Sequence, residues 1–232
     1  MAPFRIRLSE IRQAHALTST EVLIEKILDD PVYYEAFIRD ISNGSPDLFR
    51  DPDFWIHFRD KLLPSILKSR HYPEIVIPES VTGHELYSMA VLLNEAEIEY
   101  RVDLVATCRN EKIRDRILER YLPNLILKNS KDNYELFNPG SSFDQYIDIR
   151  KGKKYLNPGL LKGVDIRLQS PDQPVCSDRT SLILYRNRMI YLNAEEQYNR
   201  LKKLFGEMSG STYFVTGVRE SIDRFGLDHM YS

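Results

Sequence analysis

The 232-residue chain is 42% hydrophobic and 28% charged, which rules against disorder and suits one sizeable domain with or without a small lead-in. Its formal net charge of -2 gives no global pull toward nucleic acid or an anionic membrane, so neither is expected as a partner. Cys108 and Cys176 lie far apart with no CxxC neighbour, which excludes a cysteine zinc site, argues against a disulfide framework and points to the reducing cytoplasm. The first residues, MAPFRIRLSEIRQ, lack the apolar stretch of a secretory signal. No apolar run approaches the roughly 18 residues of a membrane-spanning helix.

In chain order, Thr18-Ser19-Thr20-Glu21 reads as a capping box ahead of a helix through Val22, Leu23, Ile27 and Leu28. Asp30-Pro31 opens a second helix, with Tyr34, Phe37, Ile38 and Ile41 on its apolar face and Asn43-Gly44 at its end. Asp51-Pro52 repeats the start signal, followed by Phe54, Trp55, Phe58, Leu62 and Leu63 at helical spacing. Residues 1–68 are therefore expected to form a helical subdomain. Residues 69–232 change texture. A β-rich run at 74–77 (EIVI), a helix over 82–95, a strand at 102–107 and a helix over 110–121 capped by Asn110 alternate with short connections. That rhythm predicts a parallel sheet with right-handed crossovers. Residues 131–178 are expected to be irregular, with short strands at 146–150 and 164–168. The rhythm returns with strands at 181–185 (SLILY) and 212–216 (TYFVT) around a helix over 194–208.

In an open α/β sheet, ligands bind at the carboxyl ends of the strands, so the loops at 78–84, 107–110, 185–191 and 216–221 matter most. The first holds a single glycine, Gly83, and the second, Thr107-Cys108-Arg109, holds no acid. On spacing alone these are ordinary strand-to-helix turns. None of His15, His57, His71, His84 and His229 stands at a metal-ligand spacing, so no metal is expected. The basic run Arg150 to Lys154 reads as a solvated hairpin tip, with a docking surface for an acidic partner as the alternative.

Five segments nevertheless resemble the chemotaxis-receptor methyltransferases, the CheR family. They are Leu48-Phe49-Arg50-Asp51-Pro52, Thr82-Gly83-His84-Glu85-Leu86-Tyr87-Ser88, Ala106-Thr107-Cys108-Arg109-Asn110, the stretch from Leu182 to Leu192 with its Arg186-Asn187 pair, and Gly217-Val218-Arg219-Glu220-Ser221. The resemblance implies a Rossmann-like class I methyltransferase fold with a helical N-terminal subdomain. It also implies S-adenosylmethionine as methyl donor and a receptor-like or signalling protein as partner. Arg50, Arg186 and Tyr191 would then face donor and substrate carboxylate as the catalytic set. The donor would be held at Glu79, Gly83, Glu85, Cys108 and Asn187. In the family the last antiparallel strands complete a seven-stranded mixed sheet; here they are expected to be shortened or absent.

The departures from the family pattern gather at the donor positions. Glu79 replaces a small residue where backbone should approach the donor, and it brings bulk and negative charge. Cys108 stands where an acid should hold the ribose, and a thiol accepts hydrogen bonds poorly. His84 replaces one acid of a pair, and Pro46 replaces a threonine. The resulting expectation is a degenerate relative with weak or no donor binding that acts by partner or altered-ligand recognition. Its rivals are an active protein-glutamate methyltransferase with an unusual pocket and a binding module for another nucleotide-like ligand.

Overall fold

The computed structural model describes residues 47–170 and 173–227, together with 8–9, 11–13, 15–30, 33–34 and 37. The side chains of Leu125 and Tyr191 are outside that description. The chain divides into two compact units, Met1–Pro46 and Asp47–Ser232. This division falls earlier than the expected boundary after residue 68, because Leu48, Phe49, Trp55, Phe58, Leu63 and Ile66 share one core with Ile75 and Ile77.

In the first unit, α1 spans Thr20–Asp29, with the Ser19 hydroxyl accepting from the Val22 N–H at 3.3 Å. Asp30 accepts from the Tyr33 N–H at 3.0 Å, a cap for the helical residues at 33–34 and 37. Ile38, Ile41, Asn43, Gly44 and Pro46 lie outside the described residues.

The second unit opens with α2 (Pro52–His57), a π-helical turn (Phe58–Leu62) and α3 (Leu63–Ser69) in one run. The strands β1 (Glu74–Ile77), β2 (Asp103–Cys108), β5 (Asp165–Leu168), β6 (Thr180–Tyr185) and β7 (Tyr213–Thr216) form a five-stranded sheet, ordered β5-β2-β1-β6-β7. Every pairing in it is parallel. The helices between the strands are α4 (His84–Glu95), α5 (Glu111–Glu119), α6 (Asn124–Phe137) and α7 (Ala194–Glu207). β3 (Ile147–Arg150) and β4 (Lys153–Leu156) form a separate antiparallel hairpin. Its tip, Lys151-Gly152, has φ of 49° and 75°, the pattern of a two-residue hairpin turn, which accounts for the basic run as a hairpin tip.

The central strands read as continuous apolar runs because both their faces are covered. Ile75, Ile77, Leu182 and Leu184 point into one core cluster, while Val76, Ile183 and Tyr185 point into the other. This is the doubly wound layout that the residues and the family resemblance led us to expect.

One expectation needs correcting. Residues 131–137 are not irregular: they complete α6. Leu127, Ser130, Tyr134 and Phe137 lie on its buried face at helical spacing, with a serine where an apolar residue would have signalled a helix. The polar residues serve another purpose. Ser130 Oγ accepts from the Leu48 N–H at 3.0 Å, Asn133 donates to the Leu48 carbonyl at 3.0 Å, and Asn129 donates to Asp47 at 3.2 Å. α6 therefore clamps the turn segment 47–49, chiefly through the backbone of Leu48.

Candidate functional site

The strand order reverses between β1 and β6, so the cleft at their carboxyl ends is where an open α/β sheet places a ligand. Three segments meet there: residues 47–51, the β1 turn at 78–83, and the loop after β6 at 186–192.

The first segment is aimed by its backbone. Phe49 (φ 52°) and Asp51 (φ 57°) both adopt left-handed conformations that cost a non-glycine residue about 1 kcal/mol each. The Phe49 N–H donates to Ser88 Oγ at 2.8 Å, and its ring is fully buried, stacked on Phe137 at 4.7 Å. These contacts hold Arg50 at the sheet edge. Asp51 sits at the N-cap of α2 without capping it. Its carboxylate instead accepts from Arg186 Nη2 at 2.5 Å.

Arg186 is 2% exposed. Its guanidinium lies 4.1 Å from the Phe54 ring centroid, donates to the Arg50 carbonyl at 3.3 Å and approaches Glu85 to 3.5 Å. Burial pushes the guanidinium below its ordinary value, and Glu85 and Asp51 oppose that push. Burial raises Glu85 above the usual carboxylate range, against Arg186, Arg188 and Arg50. Arg50, Glu85 and Arg186 are therefore brought together.

The β1 turn differs from a plain ligand loop. Glu79 has φ 53°, a conformation glycine favours. Its N–H donates to Thr107 Oγ1 at 3.0 Å, and its carbonyl accepts from Arg188. Its carboxylate accepts from the Tyr185 hydroxyl at 3.1 Å, pairs with Arg200 of α7 and lies 3.9 Å from Arg109. Burial pushes the Tyr185 phenol up, so it remains a donor. The negative charge expected to repel a ligand is thus neutralised within the protein, while the bulk remains.

Gly83 (φ 80°) is the N-cap of α4, and a Cβ there would come within 3.0 Å of both Tyr87 Cζ and Ile117 Cγ2. Its small size is used by its own helix: Tyr87 folds back over it and donates to the Ile117 carbonyl at 2.6 Å. Cys108 is buried at the end of β2 with Sγ 3.6 Å from the Arg167 carbonyl, and burial raises its thiol above the ordinary value. That combination makes it inert. His84, the first residue of α4, is 8% exposed, and its ring lies 6.1 Å from that of Tyr87.

The loop after β6 is held by a residue that the sequence had not singled out. The two carboxylate oxygens of Glu220 accept four backbone N–H bonds: from Asn187 (2.7 Å), Gly217 (2.7 Å), Met189 (2.7 Å) and Ile190 (3.3 Å). Asn187 is left-handed (φ 56°), and its Oδ1 would lie 2.7 Å from a Cβ on residue 217, which explains the glycine there. Gln197 of α7 donates to the Met189 and Leu192 carbonyls at 2.8 and 2.9 Å. Tyr191 lies in the short 3-10 turn Met189–Tyr191 that these bonds frame. Glu220→Gln replaces one accepting oxygen, which receives two of the four bonds, with an amide NH2 that faces N–H donors. It is expected to cost about 2 kcal/mol, read as a lower thermal midpoint by circular dichroism.

Arg188, Arg200, Tyr185 and Glu220 thus join the site. Arg188 and Glu220 stood inside the recognised segments. Arg200 had no signal beyond lying one residue before Leu201 on an amphipathic helix.

Comparison with known families decides the kinship. The model of the CheR methyltransferase SAM-binding domain matches residues 45–230, most of the chain. The chain belongs to this family. A Pseudomonas putida protein named as a methyltransferase, Cher3, is 27% identical over 216 residues, covering 93% of this chain and 78% of that protein. The CheR domain match starts just before the segment that carries Arg50 and runs past Glu220, so it contains the whole cleft. S-adenosylmethionine is the cofactor this family implies. Among the described residues, no group of three or more His, Cys, Asp or Glu side chains is placed to hold a metal ion, and no helix is long and apolar enough to cross a membrane.

Proposed function

We propose that this CheR domain binds S-adenosylmethionine weakly or not at all and acts by recognising a protein partner or a different ligand. The observation that carries the reading is Glu79. A side chain stands where the backbone is left-handed and glycine would leave room. It is bonded on every side by Tyr185, Arg188, Arg200 and Thr107. The residues at this turn do not fit the donor: a ligand entering here must displace a pinned carboxylate, and Cys108 offers a buried thiol in place of an acceptor for the ribose. Isothermal titration with S-adenosylmethionine and S-adenosylhomocysteine should show no micromolar binding. Micromolar binding of either contradicts the reading.

A second reading has its own support. Arg50, Glu85, Arg186 and Asn187 gather at the carboxyl edge of the sheet, where cationic groups can position a substrate carboxylate. On this reading the chain is a protein-glutamate methyltransferase with an unusual pocket. Labelled methyl transfer to a receptor fragment, abolished in Tyr191→Phe, supports it; absence of transfer to receptor fragments and cell extract counts against it. A signalling partner, a role in chemotaxis and a cytoplasmic location are part of the proposal under either reading.

A further inference from the structure

Three guanidiniums from three separate elements converge on Glu79. Arg109 follows β2, Arg188 follows β6, and Arg200 projects from α7. A single carboxylate needs one such partner. The other acids at this edge are committed elsewhere: Asp51 and Glu85 to Arg186, and Glu220 to four backbone N–H groups. Arg188 reaches Glu85 only at 3.9 Å, and its Nε is buried with no hydrogen-bond partner among the described residues. Arg186 Nη1, on a side chain 1% exposed, is likewise buried without a hydrogen bond, 3.5 Å from Glu85. Leaving buried donors unmade is costly, so each of these two atoms calls for an acceptor that the described residues do not supply.

The position of the cluster adds to this. It lies at the turn from β1 into α4, and no side chain caps the N-terminus of α4. In nucleotide-binding α/β sheets this turn and helix start cradle phosphates, because free N–H groups and the helix dipole favour an anion. Arginine forks match phosphate oxygens in pairs. A phosphorylated ligand supplies the negative charge that the cluster lacks, whereas a sulfonium-bearing donor brings another positive charge among arginines.

We infer that the cleft between the β1 turn and the β6 loop is an anion site for a diphosphate-bearing ligand, with Arg109, Arg188 and Arg200 holding the phosphates and Glu79 standing in their place until the ligand displaces it. This rests on the reading that the methyl donor is not the resident ligand.

The test is isothermal titration of the full chain with ADP, pyrophosphate and orthophosphate at low ionic strength, with S-adenosylmethionine titrated alongside. ADP and pyrophosphate should bind with micromolar affinity that weakens as salt is added, and orthophosphate more weakly. Arg200→Ala and Arg188→Ala should each weaken ADP about tenfold. Glu79→Gln, which removes the competing charge, should tighten it severalfold. No binding of ADP or pyrophosphate to either wild type or Glu79→Gln overturns the inference, as does binding that the arginine variants leave unchanged. Where an arginine variant fails to fold, Glu79→Gln decides: tighter ADP binding supports the site, and equal or weaker binding overturns it. Micromolar S-adenosylmethionine binding overturns the underlying reading and this inference with it. Silence toward both phosphates and donor overturns this inference alone.

Discussion

Arg186→Leu is expected to lower the thermal midpoint by about 8 °C, the consequence of losing about 3 kcal/mol in a chain of this size. The guanidinium is almost fully buried and serves four groups: Asp51, Glu85, the Arg50 carbonyl and the face of Phe54. Leucine restores some apolar contact but leaves Glu85 facing the cleft without its nearer cation. The figure stands at the low end for a broken buried pair because the Asp51 and Glu85 side chains remain 37% and 20% exposed. The pH dependence gives the loss a signature. Burial already raises Glu85 above its ordinary value of 4.5, and Arg186 is the largest influence opposing that rise. Without Arg186 the folded-state value rises further. A carboxyl raised on folding favours the folded state below its unfolded value, and that advantage is lost as pH climbs through the folded value. The gap between wild type and variant should therefore be widest near neutral pH and shrink as pH falls toward 4.5. Parallel melting curves at pH 7.5 and pH 5 check this. A gap that is constant across both values would mean that Glu85 does not depend on Arg186.

What the sequence made legible follows from how local each determinant is. β1 and β6 were readable because a strand covered on both faces reads as a near-continuous apolar run, as Ile75 to Ile77 and Leu182 to Leu184 do. α5 was readable from its cap: Asn110 accepts from the Ile113 N–H at 3.0 Å. α6 was not, because Ser130, Asn129 and Asn133 lower its helical appearance and take their value from partners some eighty residues earlier. The site divides the same way. Gly83, Glu85 and Arg186 were legible through resemblance, and the departure at Glu79 was visible as a glutamate out of place. The consequence drawn from its charge was incomplete. Arg200, more than a hundred residues away, becomes its partner only once α7 packs beside β6. The role of Glu220 was hidden for the same reason, since its four donors come from two different loops.

Glu79→Gly is expected to convert a chain with no measurable affinity for S-adenosylhomocysteine into one that binds it in the micromolar range. The opposing contributions to stability are each small and partly offset one another. Glycine at φ 53° relieves about 1 kcal/mol of left-handed strain. It adds about 0.4–1 kcal/mol of unfolded-state entropy, gives up an ion pair worth about 1 kcal/mol, and leaves the buried Tyr185 hydroxyl without its acceptor at a cost of about 1 kcal/mol more. The variant should therefore melt several degrees below wild type yet stay folded at room temperature, where the titration reads binding and not folding. The effect on binding is larger because three obstacles disappear together. The side-chain volume leaves the β1 turn, the Tyr185 hydroxyl and Arg200 lose their internal acceptor, and the backbone becomes free to approach a ligand. Arg188 keeps its bond to the residue-79 carbonyl, so the loop path itself need not move. Glu79→Gln separates bulk from charge. It keeps the volume and the left-handed strain but removes the negative charge. If volume is the obstacle, glutamine should stay as silent toward S-adenosylhomocysteine as the wild type, while glycine binds. Binding by both variants would place the barrier in the charge after all, despite the cations around it. Silence in both would move the obstacle away from this residue, to the Tyr87–Ile117 packing over Gly83 and the buried thiol of Cys108.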